Sequence, residues 1–186
     1  MNCKYLTFCL LCFVFIIGCK EESPIPKPKA QIRLEYPQGE LATLETTNFS
    51  INYNQLSNPK KNKDMAYTLE YPDMKGAIFL SYRRLDDDLD KLTQDAKRLS
   101  YEHSVKADNI LEQPFVNIES KVYGSLFEVQ GNAASQTQFF VTDSTTHFLT
   151  GSVYFYTKPN YDSILPAAAY LQNDIRNIME TLRWKE

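Results

Sequence analysis

Cysteine is missing from most of this chain. The four cysteines, Cys3, Cys9, Cys12 and Cys19, all lie within the first nineteen residues. The residues that follow Cys19 can therefore form no internal disulfide and no cysteine-ligated metal site. A domain without such cross-links has to be stabilised by its hydrophobic core.

An excess of positive charge is also missing. The chain has 20 Lys and Arg against 23 Asp and Glu, a net charge of −3. Removing residues 1–18, as argued below, would remove Lys4 and leave a net charge of −4. Domains that bind nucleic acid present a strongly basic patch, so we expect no nucleic-acid partner.

No apolar run is long enough to cross a bilayer. The longest run, from Tyr5 to Ile17, has 13 residues, whereas a membrane-spanning helix needs roughly 20. A short apolar run that follows Lys4 and ends at Gly18 and Cys19 is typical of a bacterial lipoprotein signal peptide. We predict that Cys19 is lipidated on its thiol. An ordinary secretory signal with a chance cysteine is the alternative.

This reading divides the chain into three parts. Residues 1–18 are the predicted signal peptide, residues 19–30 the lipidated cysteine with a proline-rich tether, and residues 31–186 a single domain. Pro24, Pro26 and Pro28 alternate with other residues in the tether and favour an extended polyproline conformation. Lys20-Glu21-Glu22 resembles the surface-export signals of Bacteroidetes lipoproteins, and a plain solvated linker is the alternative. The lipid-anchored domain would face the periplasm or the cell surface.

Alternating apolar and polar residues predict strands in the domain. The expected strands are Ile32–Tyr36, Phe49–Asn54, Met65–Tyr71, Gly76–Arg83, Phe115–Ile118, Val122–Val129, Gln138–Thr142 and Phe148–Tyr156. The polar stretch Gln55–Asp64 is expected to be an exposed loop.

Two helices are predicted from apolar residues at three- and four-residue steps. The first, about 19 residues long, begins among Asp86–Asp90, where acidic side chains meet the positive end of the helix dipole. Its stripe is Leu89, Leu92, Ala96, Leu99 and His103. The second has the stripe Ile164, Ala168, Leu171, Ile175, Ile178 and Leu182, with Pro166 in its first turn and Trp184 packed over the sheet edge beyond it.

This order of elements predicts an α+β fold, a single domain with a mainly antiparallel sheet packed by two helices. The order resembles that of the PsbP/Mog1-like sandwich. A likeness of this kind concerns fold and not function.

Acidic and histidine residues give no convincing catalytic or metal site. Asp86, Asp88 and Asp90 have the spacing of a calcium loop, but Lys91 and Lys97 stand where an EF-hand needs glycine and glutamate. Two histidines are too few for a zinc site, and no phosphate-binding glycine loop is present. We therefore predict no metal, no cofactor and no small-molecule substrate.

A catalytic triad is suggested on paper by Asp143, Ser144 and His147. A working triad needs the base bonded to the nucleophile and oriented by a third group, which a tight hairpin rarely provides. We expect His147 to be a turn or strand-start residue or part of a contact surface, and His103 to be a buried core residue. No catalytic residue is predicted.

Tyrosines in the last hairpin are a candidate contact surface. Tyr154 and Tyr156 share one strand face, and Val153 and Phe155 share the other. If helices cover only one face, the tyrosines form a patch suited to a partner. Core packing on both faces is the alternative.

Four runs of the chain resemble the gliding-motility lipoprotein family of the GldD type, found in Bacteroidetes. They are Ser100-Tyr101-Glu102-His103 with Lys106-Ala107-Asp108, the stretch from Gly131 through Ser144, Lys158 through Ala167, and Thr181-Leu182-Arg183-Trp184-Lys185. The resemblance implies a cell-envelope lipoprotein required for gliding and linked to type IX secretion. It implies partners among the other envelope proteins of that machinery and no enzymatic activity.

Two polar, loop-like runs are the expected docking surface for such partners, because binding residues tend to lie on loops. The runs are Asn132–Ser135 and Lys158–Asp162, and the residues expected to bind are Asn132, Ser135, Asn160, Tyr161 and Asp162. Turn formation alone is the alternative. A small-molecule or glycan binding module, with a concave pocket lined by aromatics, is the alternative function, and an envelope hydrolase is a third.

Overall fold

The computed structural model describes residues 34–102, 107–157 and 160–185, which belong to one compact unit, Ile32–Glu186. Two helices and ten strands lie within these described ranges. The strands are β1 Leu41–Glu45, β2 Phe49–Asn54, β3 Asn58–Lys61, β4 Ala66–Tyr71, β5 Gly76–Arg84, β6 Ala107–Asn117, β7 Val122–Gly131, β8 Ser135–Thr142, β9 His147–Phe155 and β10 Arg183–Trp184. The helices are α1 Leu89–Glu102 and α2 Tyr161–Thr181. The predicted α+β class is confirmed.

Two antiparallel sheets form the body of the domain. The larger sheet has seven strands in the order β3-β4-β5-β9-β8-β7-β6, and the smaller sheet has three in the order β1-β2-β10. Strands β4 and β5 form the predicted hairpin, turned by the 3-10 segment Pro72–Met74. Lys75 closes that turn with a left-handed backbone, φ 48°, and its N–H donates to Pro72 O at 3.1 Å.

One face of the large sheet packs against α2 and the small sheet. The α2 residues Leu171, Ile175 and Ile178 are almost fully buried, as their helical spacing predicts, and β2 adds Phe49 and Ile51 to the same core. Burying each such aliphatic side chain stabilises the fold by about 1.5–3 kcal/mol. This core is the main support of a domain whose described part contains no cysteine.

The opposite face is only partly covered, by α1. Leu92 packs there with three sheet residues, Phe127, Phe140 and Phe148. The predicted stripe is wrong at Leu99, which is 53% exposed, while Ser100 takes the next buried position on the helix. His103 lies outside the described residues. The helix therefore meets the sheet with its Leu92 and Ser100 face and leaves an open strip beside it.

Three strand predictions need correction at the edges of the sheets. Leu34–Tyr36 has no regular structure, and the first strand is instead β1, whose side chains are only partly covered. The stretch Gln55–Asp64, predicted to be a loop, contains the exposed edge strand β3. Pro59 is tolerated in β3 because one side of an edge strand needs no hydrogen bonds. The short strand predicted at Phe115 is the eleven-residue edge strand β6.

The prediction that Pro166 lies in the first turn of the second helix is wrong. The helix begins at Tyr161, because Asn160 O already accepts the N–H groups of Ser163 and Ile164 at 3.0 and 3.1 Å. Pro166 therefore lies in the second turn of α2. Because proline has no N–H, one carbonyl of the exposed first turn receives no hydrogen bond from within the helix. In the described part of the chain, no helix is both long and apolar enough to span a membrane.

Candidate functional site

The two polar runs expected to form a docking surface meet in the structure. Asn132, in the connection between β7 and β8, accepts a hydrogen bond on its side-chain Oδ1 from the backbone N–H of Tyr161, at 2.9 Å. Tyr161 is the first residue of α2, whose initial N–H groups have no partner within the helix. Asn160, the N-cap residue, makes no capping bond with its own side chain. A side chain from another part of the chain therefore takes over part of the cap.

Gly131 allows the β7–β8 connection to approach the start of β6. Its φ is +103°, and a Cβ at this position would lie 2.7 Å from the backbone N of Asp108. Only glycine adopts this conformation readily and leaves that space free. The consequence is that Asp108 lies close to the Asn132 connection and to the start of α2.

The surface around Tyr161 is acidic. Burial raises the pKa of the Tyr161 hydroxyl, and the charges of nearby carboxylates raise it further. These carboxylates are those of Asp108, Asp162 and Glu128. Asn132, Asn160 and Asp162 are exposed, and Tyr161 is half-buried. We call Asn132, Asn160, Tyr161 and Asp162 the Asn132–Asp162 surface.

Ser135 does not lie on this surface. It begins β8, is fully buried, and donates its hydroxyl hydrogen bond to Thr137 O at 3.2 Å. Ala133 is buried as well, so the expectation of an exposed loop holds for Asn132 and Ala134 only. The physical reason is that β8 is a central strand with both faces covered.

Cys19, Lys158 and Pro159 fall outside the described residues, as does the predicted signal peptide and tether. The lipidation of Cys19 and the boundaries at residues 18 and 30 therefore remain predictions from the sequence.

Asp143, Ser144 and His147 are close in sequence but are not arranged as a triad. The Asp143 carboxylate accepts the backbone N–H groups of Thr145, Thr146 and His147 at 2.7–3.0 Å. Partial burial pushes its pKa up, but these hydrogen bonds outweigh burial and hold the pKa below its ordinary value. Asp143 thus closes the hairpin turn and does not orient the imidazole.

His147 has a structural position. It begins β9, as one of the sequence alternatives expected, and its Nδ1 lies 2.8 Å from the Tyr82 hydroxyl. Its ring stacks on the indole of Trp184, which lies in the edge strand β10. Burial lowers the pKa of His147, with a smaller opposing effect from Asp143. These contacts place His147 between the two sheets, with its imidazole held by Tyr82 and Trp184.

The tyrosines of the last hairpin differ in their surroundings. Val153 is fully buried against α2, while Tyr154 lies on the partly covered face, edge-on to Phe79. Tyr156 follows the strand and is 59% exposed. The face that carries Tyr154 is thus the one that α1 leaves partly open.

A buried polar cluster, not foreseen from the sequence, holds the segment before β1 against α2. Asp174 accepts hydrogen bonds from the Tyr71 hydroxyl at 2.9 Å and from Asn54 Nδ2 at 3.2 Å. Asn54 also donates to the Tyr170 hydroxyl at 2.7 Å, and Tyr170 in turn donates to Pro37 O at 2.9 Å. Burial raises the pKa of Asp174, and the bonds from Tyr71 and Asn54 offset only part of this.

Among the residues that the structure describes, no three His, Cys, Asp or Glu side chains are grouped to hold a metal ion. A comparison with curated proteins finds no match.

A family model described as gliding motility lipoprotein GldD matches residues 21–184. The match covers most of the chain, including both helices and both sheets. The description is not that of an enzyme family. It implies a role in gliding motility and a lipid-anchored location in the cell envelope. It also agrees with the resemblance read from the four sequence runs. The chain therefore belongs to the family of gliding motility lipoproteins of the GldD type.

Proposed function

We propose that this protein is a structural or assembly component of the gliding and type IX secretion machinery. It would be held at a membrane by a lipid on Cys19, and would bind other envelope proteins of that machinery through the Asn132–Asp162 surface. The observation that carries the proposal is the hydrogen bond from the Tyr161 N–H to Asn132 Oδ1. This bond assembles two exposed polar segments, far apart in sequence, into one surface.

The chemistry of the surface indicates what a partner must offer. Asn160 is exposed and makes no capping bond with its side chain, so its amide is available for intermolecular hydrogen bonds. Asp108 and Asp162 are exposed carboxylates beside Tyr161. A partner with basic or amide side chains would complement this surface, and charge complementarity favours both association rate and specificity.

Motility of cells that carry Asn132→Ala with Asn160→Ala tests the proposal. We expect impaired gliding or secretion at normal protein abundance. Asn173→Ala is the matched control, because Asn173 is an exposed asparagine of the same helix outside the surface. Normal gliding in the double variant, at normal abundance, would contradict the docking role.

Loss of the helix cap has to be separated from loss of docking. Removing the Asn132 acceptor should cost about 1 kcal/mol of stability. Asn132→Asp keeps the acceptor oxygen and removes the amide donors, so this variant should fold normally. The protein with Asn132→Asp and Asn160→Ala is then compared with the double alanine variant. If it regains the lost stability but not motility, the defect lies in docking.

A second function, binding of a small molecule or glycan, is favoured by one observation. The partly covered face of the large sheet contains a groove lined by neutral residues. A triad hydrolase is not supported, because Asp143 bonds to backbone amides and His147 to Tyr82.

A further inference from the structure

A groove lies between α1 and the partly covered face of the large sheet. Its volume is about 340 Å³, near the lower end of the roughly 300–1,000 Å³ found for small-ligand pockets. Strands β5, β8 and β9 supply its floor, and Leu99 of α1 lies on its rim. Leu99, which is 53% exposed, therefore borders this groove.

The lining of the groove is uncharged and mostly apolar, with several hydrogen-bonding groups among the apolar ones. Every residue that contacts it is neutral. Besides the hydroxyls of Tyr67 and Tyr154, its polar side chains are those of Asn62, Ser81, Ser100, Gln138, Thr150 and Ser152. Such a lining disfavours phosphorylated or ionised ligands, whose charges would find no partner. Its hydrogen-bonding groups favour a ligand that also carries polar groups over a purely apolar one.

Gln138 has an unused hydrogen-bond donor at this groove. The residue is 8% exposed, and its Oε1 accepts a hydrogen bond from the Ser100 hydroxyl at 3.2 Å. Its Nε2 is buried and has no hydrogen-bond partner among the described residues. Buried polar atoms are almost always partnered. Because this atom is covered in the structure, a ligand in the groove would bond to it after the Gln138 side chain turns toward the groove.

Two aromatic rings in contact with each other are among the apolar groups that line the groove. Phe79 and Tyr154 meet edge to face with their centroids 5.7 Å apart. The strand register places Ser152 opposite Phe79 and Thr150 opposite Ser81, so hydroxyls flank the rings on the same face. An aromatic face attracts the electropositive C–H groups of a ligand, and the neighbouring hydroxyls can bond to its edges.

We propose that this groove binds a neutral saccharide unit. A sugar ring has an apolar C–H face for the Phe79 and Tyr154 rings and hydroxyls for Ser81, Thr150 and Ser152. Its ring oxygen, or the carbonyl of an acetamido group, would accept from Gln138 Nε2 once that side chain turns toward the groove. An added peptide strand does not fit, because β5, β8 and β9 are each paired on both sides and offer no free edge. The inference goes beyond docking at the Asn132–Asp162 surface and does not depend on it.

Direct titration tests the proposal. The probes are neutral oligosaccharides of glucose, galactose, mannose and N-acetylglucosamine, added to the mature lipidated chain in a detergent without sugar groups. Saturation-transfer NMR and tyrosine fluorescence report binding. We expect at least one probe to bind, and a sulfated form of the same sugar to bind more weakly. Absence of binding by all four series at millimolar concentration would overturn the proposal.

Variants locate the site. Tyr154→Ala and Gln138→Leu should each weaken binding by about tenfold, the effect of a lost ring contact or hydrogen bond. Tyr156→Ala is the control, because Tyr156 is an exposed tyrosine near Tyr154 that does not line the groove. Unchanged affinity in both groove variants would show that any sugar binds elsewhere.

Thermal unfolding of Gln138→Leu separates a binding role from a structural one. Leucine removes the unsatisfied donor, and the single Ser100 hydroxyl hydrogen, shared in the wild type between Gln138 Oε1 and Ala96 O, then bonds to Ala96 O alone. The unfolding midpoint should therefore stay the same or rise while affinity falls. A lower unfolding midpoint with intact sugar affinity would show that Gln138 stabilises the fold and does not bind the sugar. That result would contradict the proposed site.

Discussion

The indole of Trp184 lies parallel to the imidazole of His147, with ring centroids 5.0 Å apart and an interplanar angle of 5°. The Trp184 Nε1–H also donates to Lys121 O at 3.1 Å. Through these contacts the last strand, β10, joins the small sheet to the β6–β7 connection and to the start of β9. Strand β10 is thus held at three places, by its pairing with β2, by the His147 ring and by Lys121 O.

Replacing Trp184 tests this role. Trp184→Ala should lower the free energy of unfolding by about 2–4 kcal/mol, below the range for a fully buried tryptophan because the ring is only partly covered. Trp184→Phe keeps an aromatic ring on His147 and loses the indole donor, so its cost should be about 1 kcal/mol. Urea denaturation measures both. Equal losses in the two variants would show that the stack contributes nothing.

His147→Ala should leave motility largely intact. The residue is buried by Trp184 and bonded to Tyr82, so its loss affects stability and not chemistry. We expect a destabilisation of about 1–3 kcal/mol and normal gliding once abundance is matched to wild type. A severe motility defect in a well-folded His147→Ala protein would restore the catalytic hypothesis.

Asp174 should make stability depend on pH. Its pKa is raised by burial, so the folded state holds this proton more tightly than the unfolded state does. The resulting stabilisation is present below the ordinary carboxyl pKa of about 3.9 and is lost as pH rises through the raised folded pKa. Asp174→Asn should remove this dependence and be at least as stable as wild type at neutral pH.

Denaturant midpoints measured across the acid range check the Asp174 prediction. Glu180→Gln, which removes an exposed carboxylate near the C-terminal end of α2, serves as the control for losing one negative charge from the helix. An identical pH profile for wild type and Asp174→Asn would show that the cluster does not titrate with folding.

Cys19→Ser should release the protein from membranes. Lipid is the only anchor that the sequence predicts, and the predicted apolar signal is too short to span a bilayer. Fractionation of cells, with mass spectrometry of the mature amino terminus, measures this. Membrane retention of an unlipidated protein would contradict the predicted anchor.

The helices and central strands were predictable because their side-chain spacing determines their burial. Leu171, Ile175 and Ile178 recur with the helical period, and each meets the core. Edge strands carry no such signal. Pro59 and its lysine neighbours in β3 are all exposed, so nothing in their polarity distinguishes a strand from a loop.

The candidate site was predictable only in part. Asn132 and Asn160 have loop-type neighbours and are exposed, but the same polar composition gave the wrong result for Ser135, because β8 is buried on both faces. The bond between Asn132 and Tyr161 spans 29 residues of sequence, and no local pattern predicts such a contact. The groove depends on where α1 crosses the sheet, which a single helical stripe does not determine.

The bond from the Tyr170 hydroxyl to Pro37 O, together with the edge-on contact of Tyr36 and Tyr170 at 5.7 Å, has a mechanical consequence. Force applied to the segment before Pro37 is transmitted to α2 through Tyr170 before it loads the β1–β2 hairpin. That hairpin would then be opened from its Leu41–Asn54 end, one pair at a time. The contacts of Tyr170 with Pro37 and Tyr36 are therefore one place at which the domain resists a pulling force on its amino-terminal side.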